Sequence, residues 1–141
     1  MPLLGYCSLC EKKQKRIVSR DQGNRQTHIA NNSKEYEVTH YKIDGIVITE
    51  GDKCDFLLLK ESDKKVAYFI ELKGSDLEKA ARQIDSTEKK LAVALKDYSF
   101  LYRIVANKCK TQEIENCNFK KYRLKWGHRL AYTTAKMEEN L

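Results

Sequence analysis

The chain has 141 residues, 41% hydrophobic and 33% charged, with 27 Lys and Arg against 20 Asp and Glu. That length supports a single domain over residues 1–141 with a real core, and a formal charge of +7 favours a polyanionic partner, nucleic acid above all. No apolar stretch approaches the roughly 20 residues that span a membrane, and the start lacks the features of a signal peptide, so a cytoplasmic protein is expected.

Residues 1–35 form a basic N-terminal segment with the weakest signals. The run Glu11–Arg20 reads as a short helix or a strand, and Asp21–Gln26 and Asn31–Ser33 read as turns. Five cysteines, an odd number, argue against a secreted disulfide framework. Cys7 and Cys10 have the spacing of half a structural Zn²⁺ site, but Cys109 and Cys117 lack the tight spacing that would complete it. His28, His40 and His128 are scattered and form no metal pattern.

Tyr36–Thr49, rich in β-branched and aromatic residues, predicts a strand that ends at the turn Glu50–Lys53. If it pairs with the next strand through that turn, Asp44 falls well away from Asp55, and Asp44-Gly45 reads as a bulge or an exposed position. Glu50 and Asp52 then lie nearer Asp55, as candidate outer carboxylates.

Two apolar runs follow, Phe56–Leu59 and Val66–Ile70, joined by the charged loop Glu61–Lys65, which predicts a hairpin. If Lys60 and Val66 close it, Asp55 stands opposite Glu71, with Cβ atoms roughly 4.5–5.5 Å apart. Lys73 shares that face because side chains alternate along a strand. Two facing carboxylates can hold one hard divalent cation such as Mg²⁺. The unbroken run into Glu71 predicts a strand covered on both faces, where charges tend to be paired or functional. Cys54 is expected on the opposite face from Asp55, as a small core residue.

After Gly74 the pattern turns helical. Ser75-Asp76-Leu77-Glu78 has the form of a capping box, and Leu77, Ala80, Ala81, Ile84, Leu91 and Leu95 make an apolar stripe, with Ala80 and Ala81 allowing close packing on a sheet. Lys79, Arg82, Lys89 and Lys90 take other faces, suited to phosphates or simply to solvent. Phe100–Ala106 predicts a buried strand parallel to the one that carries Glu71. Asn118–Tyr132 interleaves basic residues with aromatics. It reads as an amphipathic helix and an edge strand, the aromatics structural and some basic residues available to phosphates.

Asp55, then Glu71-Leu72-Lys73, then a helix, resembles the PD-(D/E)xK nuclease superfamily over roughly Tyr41 to Lys108, with Cys54 standing at the proline position. The resemblance implies an α/β fold with a restriction-endonuclease-like core, a mixed β-sheet flanked by helices. It implies that Asp55, Glu71 and the Leu72 carbonyl bind Mg²⁺, which Mn²⁺ can replace, and that Lys73 orients or activates the attacking water. It also places a glutamine on the following helix, here Gln83, against metal-bound water or DNA. A further N-terminal acid is usual; Glu35 and Glu37 are candidates by position. The reading is a metal-dependent nuclease acting on DNA, and the resemblance implies that it works as a homodimer. A catalytically inactive nucleic-acid-binding module of the same fold, or an interaction protein whose acid-acid-lysine cluster is a structural ion-pair network, are the alternatives.

Overall fold

The computed structural model describes residues 3–23 and 25–141, the side chain of Lys73 excepted. In chain order the strands are β1 (Arg16–Arg20), β2 (Thr27–Asn31), β3 (Val38–Lys42), β4 (Phe56–Lys60), β5 (Val66–Lys73), β6 (Ser99–Ala106), β7 (Leu130–Thr134) and β8 (Lys136–Asn140). The helices are α1 (Leu77–Leu91), between β5 and β6, then α2 (Thr111–Ile114) and α3 (Cys117–Trp126) before β7. A five-stranded mixed sheet runs β3-β4-β5-β6-β7, antiparallel from β3 to β5 and parallel from β5 to β7. A second mixed sheet runs β1-β2-β8, with β2 parallel to β8. Among the described residues no helix is long and apolar enough to cross a membrane.

The unbroken apolar runs of β4 and β5 have a direct structural cause. Alternate side chains point to opposite faces. Leu57, Leu59, Ala67 and Phe69 join a core with Leu77, Ala80, Ala81 and Ile84 of α1 and Phe119 and Trp126 of α3. Phe56, Leu58, Tyr68 and Ile70 join another with Ile17, Ala30 and Met137 of the small sheet. The central sheet is therefore covered by helices on one face and by the small sheet on the other, so neither set of side chains needs to be polar.

A polar lock also ties the small sheet down. Arg103 of β6 forks onto Glu139 of β8 through Nε at 2.8 Å and Nη2 at 3.1 Å. Glu139 Oε2 also lies 2.7 Å from Nε2 of His28 in β2, whose side chain is fully buried. Burial alone would raise the Glu139 carboxyl, but the His28 and Arg103 hydrogen bonds outweigh it and hold the group below its usual value.

Several expectations need correction. The strand predicted over Tyr36–Thr49 is only β3, Val38–Lys42. The chain leaves the sheet at Ile43, whose carbonyl collects the N–H groups of Ile46, Val47 and Ile48 at 3.0–3.3 Å, a turn that Gly45 enables at φ +82°. Cys54 is fully buried, as expected of a small core residue, but packs in the helix-side core, where its N–H donates to Thr87 Oγ1 of α1 at 2.7 Å. Burial pushes its thiol pKa up, leaving it inert.

The capping box at Ser75 and Glu78 does not form. Asp76, one residue later, caps α1 by accepting the Lys79 N–H at 2.9 Å, while Glu78 turns to Arg82 at 2.9 Å. A carboxylate cap adds a favourable charge at the positive end of the helix, which a hydroxyl lacks. Further on, Asn118–Tyr132 becomes α3, a 3₁₀ turn and the edge strand β7. Its aromatics are structural: Trp126 stacks on Tyr102 at 4.1 Å, and Tyr132 meets Phe119 edge-on at 5.3 Å.

Candidate functional site

β4 and β5 pair with Lys60 opposite Val66, the predicted register. Asp55 lies one step before β4, where its N–H donates to the Ile70 carbonyl at 3.1 Å, and the same register sets it against Glu71. β4 ends there, so the next N–H on that edge of β5, that of Leu72, has no ladder partner. Asp55 supplies one: Oδ2 accepts the Leu72 N–H at 2.8 Å. The N–H and C=O of a strand residue point to the same edge, so the Leu72 carbonyl faces the Asp55 carboxylate as well.

Both acids are withdrawn from solvent, Glu71 at 1% exposure and Asp55 at 7%. They open onto a pocket of about 400 Å³ that Asp21 and Asp44 also line. Leu72, Gly74 and the amide residues Gln26, Gln83 and Asn107 complete its lining. Gln83 Oε1 is buried with no hydrogen-bond partner among the described residues, while Gln26 Nε2 donates to Asn107 Oδ1 at 3.1 Å.

Crowded acids leave an electrostatic mark. The Asp55 pKa is pushed up to about 6, by burial first. The Leu72 N–H opposes the rise, the Asp21 carboxylate in hydrogen-bonding reach reinforces it, and a hydrogen bond with Glu71 opposes it. A divalent cation among these oxygens would reverse that penalty. The donors are all hard: the carboxylates of Asp55 and Glu71 and the Leu72 carbonyl, with Asp21 adjacent. Such a set suits Mg²⁺, which takes one or two carboxylates and keeps several waters. Among the described residues no group of three or more His, Cys, Asp or Glu side chains is placed to hold a metal ion, so the protein's donors to such an ion would be Asp55, Glu71 and the Leu72 carbonyl, with water completing the set.

The expected site residues thus fare differently. Asp55, Glu71, Leu72 and Gln83 line one pocket. Lys73 ends β5, paired with Ala106, but its side chain lies outside the described residues. Asp44, expected far from Asp55, instead lines the same pocket, because the chain turns at Ile43 and returns with Lys42 opposite Phe56. Glu35 and Glu37 belong to the other end of the sheet: Glu37 pairs with Lys12 at 3.3 Å, and its carbonyl accepts the Glu61 N–H. Glu50 and Asp52 do not join the pocket either. Their carbonyls bind Lys90 Nζ at 3.2 and 3.1 Å, and the Asp52 carboxylate pairs with Arg82 at 3.5 Å. Gly51 between them, at φ +79°, leaves room for that ammonium, which a Cβ would meet at 2.9 Å.

Of the helix-face cations, Lys89 and Lys125 both bind Asp85, at 3.0 and 3.2 Å. Cys10 packs against the core between the sheets and Cys109 against the helix-side core, so the four cysteines do not converge.

Asp21, Gln26 and Asn107 were not singled out by the sequence pattern. Asp21 shows there only as an acid in a turn after a basic run, and Asn107 only as the residue after a buried strand. Comparison with protein-family models, with curated proteins and with solved structures finds no match for this chain.

Proposed function

We propose that this protein is a metal-dependent nuclease with a restriction-endonuclease-like core, hydrolysing phosphodiester bonds in DNA. One observation carries the reading: Asp55 and Glu71 meet at the end of a buried hairpin, with Asp55 fixed by the Leu72 N–H inside a pocket open to substrate. A buried pair of acids costs stability, and a cation-dependent reaction on a polyanion gives them a purpose. The order β3 to β7, antiparallel and then parallel with α1 between β5 and β6, supports the same assignment.

Asp55, Glu71 and the Leu72 carbonyl hold Mg²⁺, or Mn²⁺ in its place. The bound ion supplies a water of lowered pKa and screens the phosphate charge. Lys73 positions the attacking water and stabilises the charge that develops on the phosphate. Gln83 Oε1, which has no partner among the described residues, accepts a hydrogen bond from that water or from the substrate. The net charge of +7 draws the strand in. A homodimer would place one such site on each strand of a duplex.

The test is cleavage of a labelled panel (plasmid, linear duplex, single strand, four-way junction and RNA) with Mg²⁺, Mn²⁺ or EDTA. Cutting is expected with either metal and not with EDTA, and Lys73→Ala should lower the rate by about 10²-fold or more. Salt-sensitive binding without turnover on any substrate would point to an inactive binding module. Absence of both DNA affinity and Mg²⁺ binding would point to an interaction protein.

A further inference from the structure

A second hollow, of about 600 Å³, shares Asp21 and Asp44 with the acidic pocket. Its remaining lining is of opposite character: Arg20, Gln22, Lys42 and the ring of Phe56. Lys42 is the pivot. Its ammonium sits 2.7 Å from Asp21 Oδ1 and 5.0 Å from the Phe56 ring centroid, and its side chain is 36% exposed. Asp21 in turn lies against Asp55. One acid therefore lies beside both Asp55 and the lysine of the adjoining hollow.

We propose that Lys42 binds the phosphodiester next to the scissile one, and that it becomes available only when a divalent cation occupies the acidic pocket. The inference rests on the nuclease reading above. Without a cation, the ion pair with Asp21 occupies Lys42, and the neighbouring carboxylates repel a nucleic-acid strand. A dication shared by Asp55 and Glu71 draws the Asp21 carboxylate towards itself and removes that repulsion. Lys42 then exchanges a carboxylate oxygen for a phosphate oxygen, a partner of the same charge and hydrogen-bonding type. The ring of Phe56, beneath the ammonium, keeps it aimed into the hollow through a cation–π contact. Metal and nucleic acid consequently bind with positive coupling, and each raises the affinity for the other.

The test uses the full chain carrying Lys73→Ala, which slows cleavage and leaves the proposed metal ligands in place. Affinity for labelled duplex and single-stranded DNA is measured in EDTA and in Mg²⁺ across a salt series. Binding of Mn²⁺ alone is followed by electron paramagnetic resonance. Mg²⁺ is expected to tighten DNA binding. Adding Lys42→Met should remove about tenfold of that gain and lower the salt slope by about one, with little effect in EDTA. Lys42→Arg should retain most of the gain, and Lys42→Gln repeats the test if the methionine variant misfolds. Full Mg²⁺-dependent tightening in both neutral variants, with Mn²⁺ still bound, would overturn the role of Lys42 and leave the nuclease reading standing. No Mn²⁺ binding to the parent protein would overturn both.

Discussion

Asp55→Asn is expected to abolish cleavage and at the same time to make the metal-free protein more stable at pH 8. The sign follows from the burial of the Asp55 carboxyl, reinforced by the neighbouring Asp21. Asp55 has its pKa raised from 3.8 to about 6 in the folded protein, so folding favours its protonated form. The stability that this proton confers is complete below about pH 4 and is lost as pH rises through 6. At pH 8 the ionised group costs on the order of 2–3 kcal/mol. Asparagine keeps the acceptor for the Leu72 N–H and carries no charge, so the melting temperature in EDTA should rise by about 5–10 °C at pH 8 and little at pH 4. Mg²⁺ should stabilise the wild type and leave the variant unchanged. A structural ion-pair cluster makes the opposite prediction, because removing one charge would strand its partner. Melting curves at the two pH values decide between them: a less stable variant at pH 8 would rule out the costly burial of an ionised Asp55 that motivates the proposed cation site.

The second large effect belongs to the lock between the two sheets. Glu139→Ala is expected to destabilise the fold by about 3–5 kcal/mol, because it leaves the Arg103 guanidinium buried without its carboxylate. Chemical denaturation at pH 7 measures this directly. Replacing both partners by apolar residues, Arg103→Met with Glu139→Leu, should recover most of the loss, since the desolvation cost disappears with the charges. The wild-type pair has its own acid limit. The Glu139 carboxyl is held below its usual value, so its contribution is present above about pH 4.5 and is lost as pH falls through the depressed value. A single variant as stable as the wild type would mean that apolar packing alone holds the two sheets together.

The two halves of the site differed in how readable they were. The Asp55–Glu71 hairpin was legible because everything that fixes it is local. Loop length sets the register, and covered faces on both sides produce uninterrupted apolar runs. Asp44 was misplaced because the turn after β3 begins at Ile43, seven residues before the predicted turn at Glu50–Lys53, and only hydrogen bonds to the Ile43 carbonyl reveal it. Ser75 and Asp76 are both good caps by composition, and the choice between them depends on how the chain leaves β5. Asp21 was beyond reach for a different reason. It enters the site on a sheet whose third strand, β8, comes from the other end of the chain, and nothing near Asp21 encodes that partnership.

That distant partnership has a consequence in time. β1 and β2 make a hairpin on their own, and an isolated hairpin is at best marginally stable in water. Its lock requires His28 to find Glu139, 111 positions along the chain, whereas β4, β5 and their connecting loop are neighbours. Contacts of such separation form late and open early. Amide hydrogen exchange should therefore show β1, β2 and β8 opening as a unit before β4–β6, and comparable protection of both sheets would exclude it. A chain that has formed its central sheet but not yet seated the small one would hold Asp55 and Glu71 without Asp21. The acidic pocket would then be completed only with the last strand to dock, and any condition that loosens that strand would take the pocket apart before the protein unfolds.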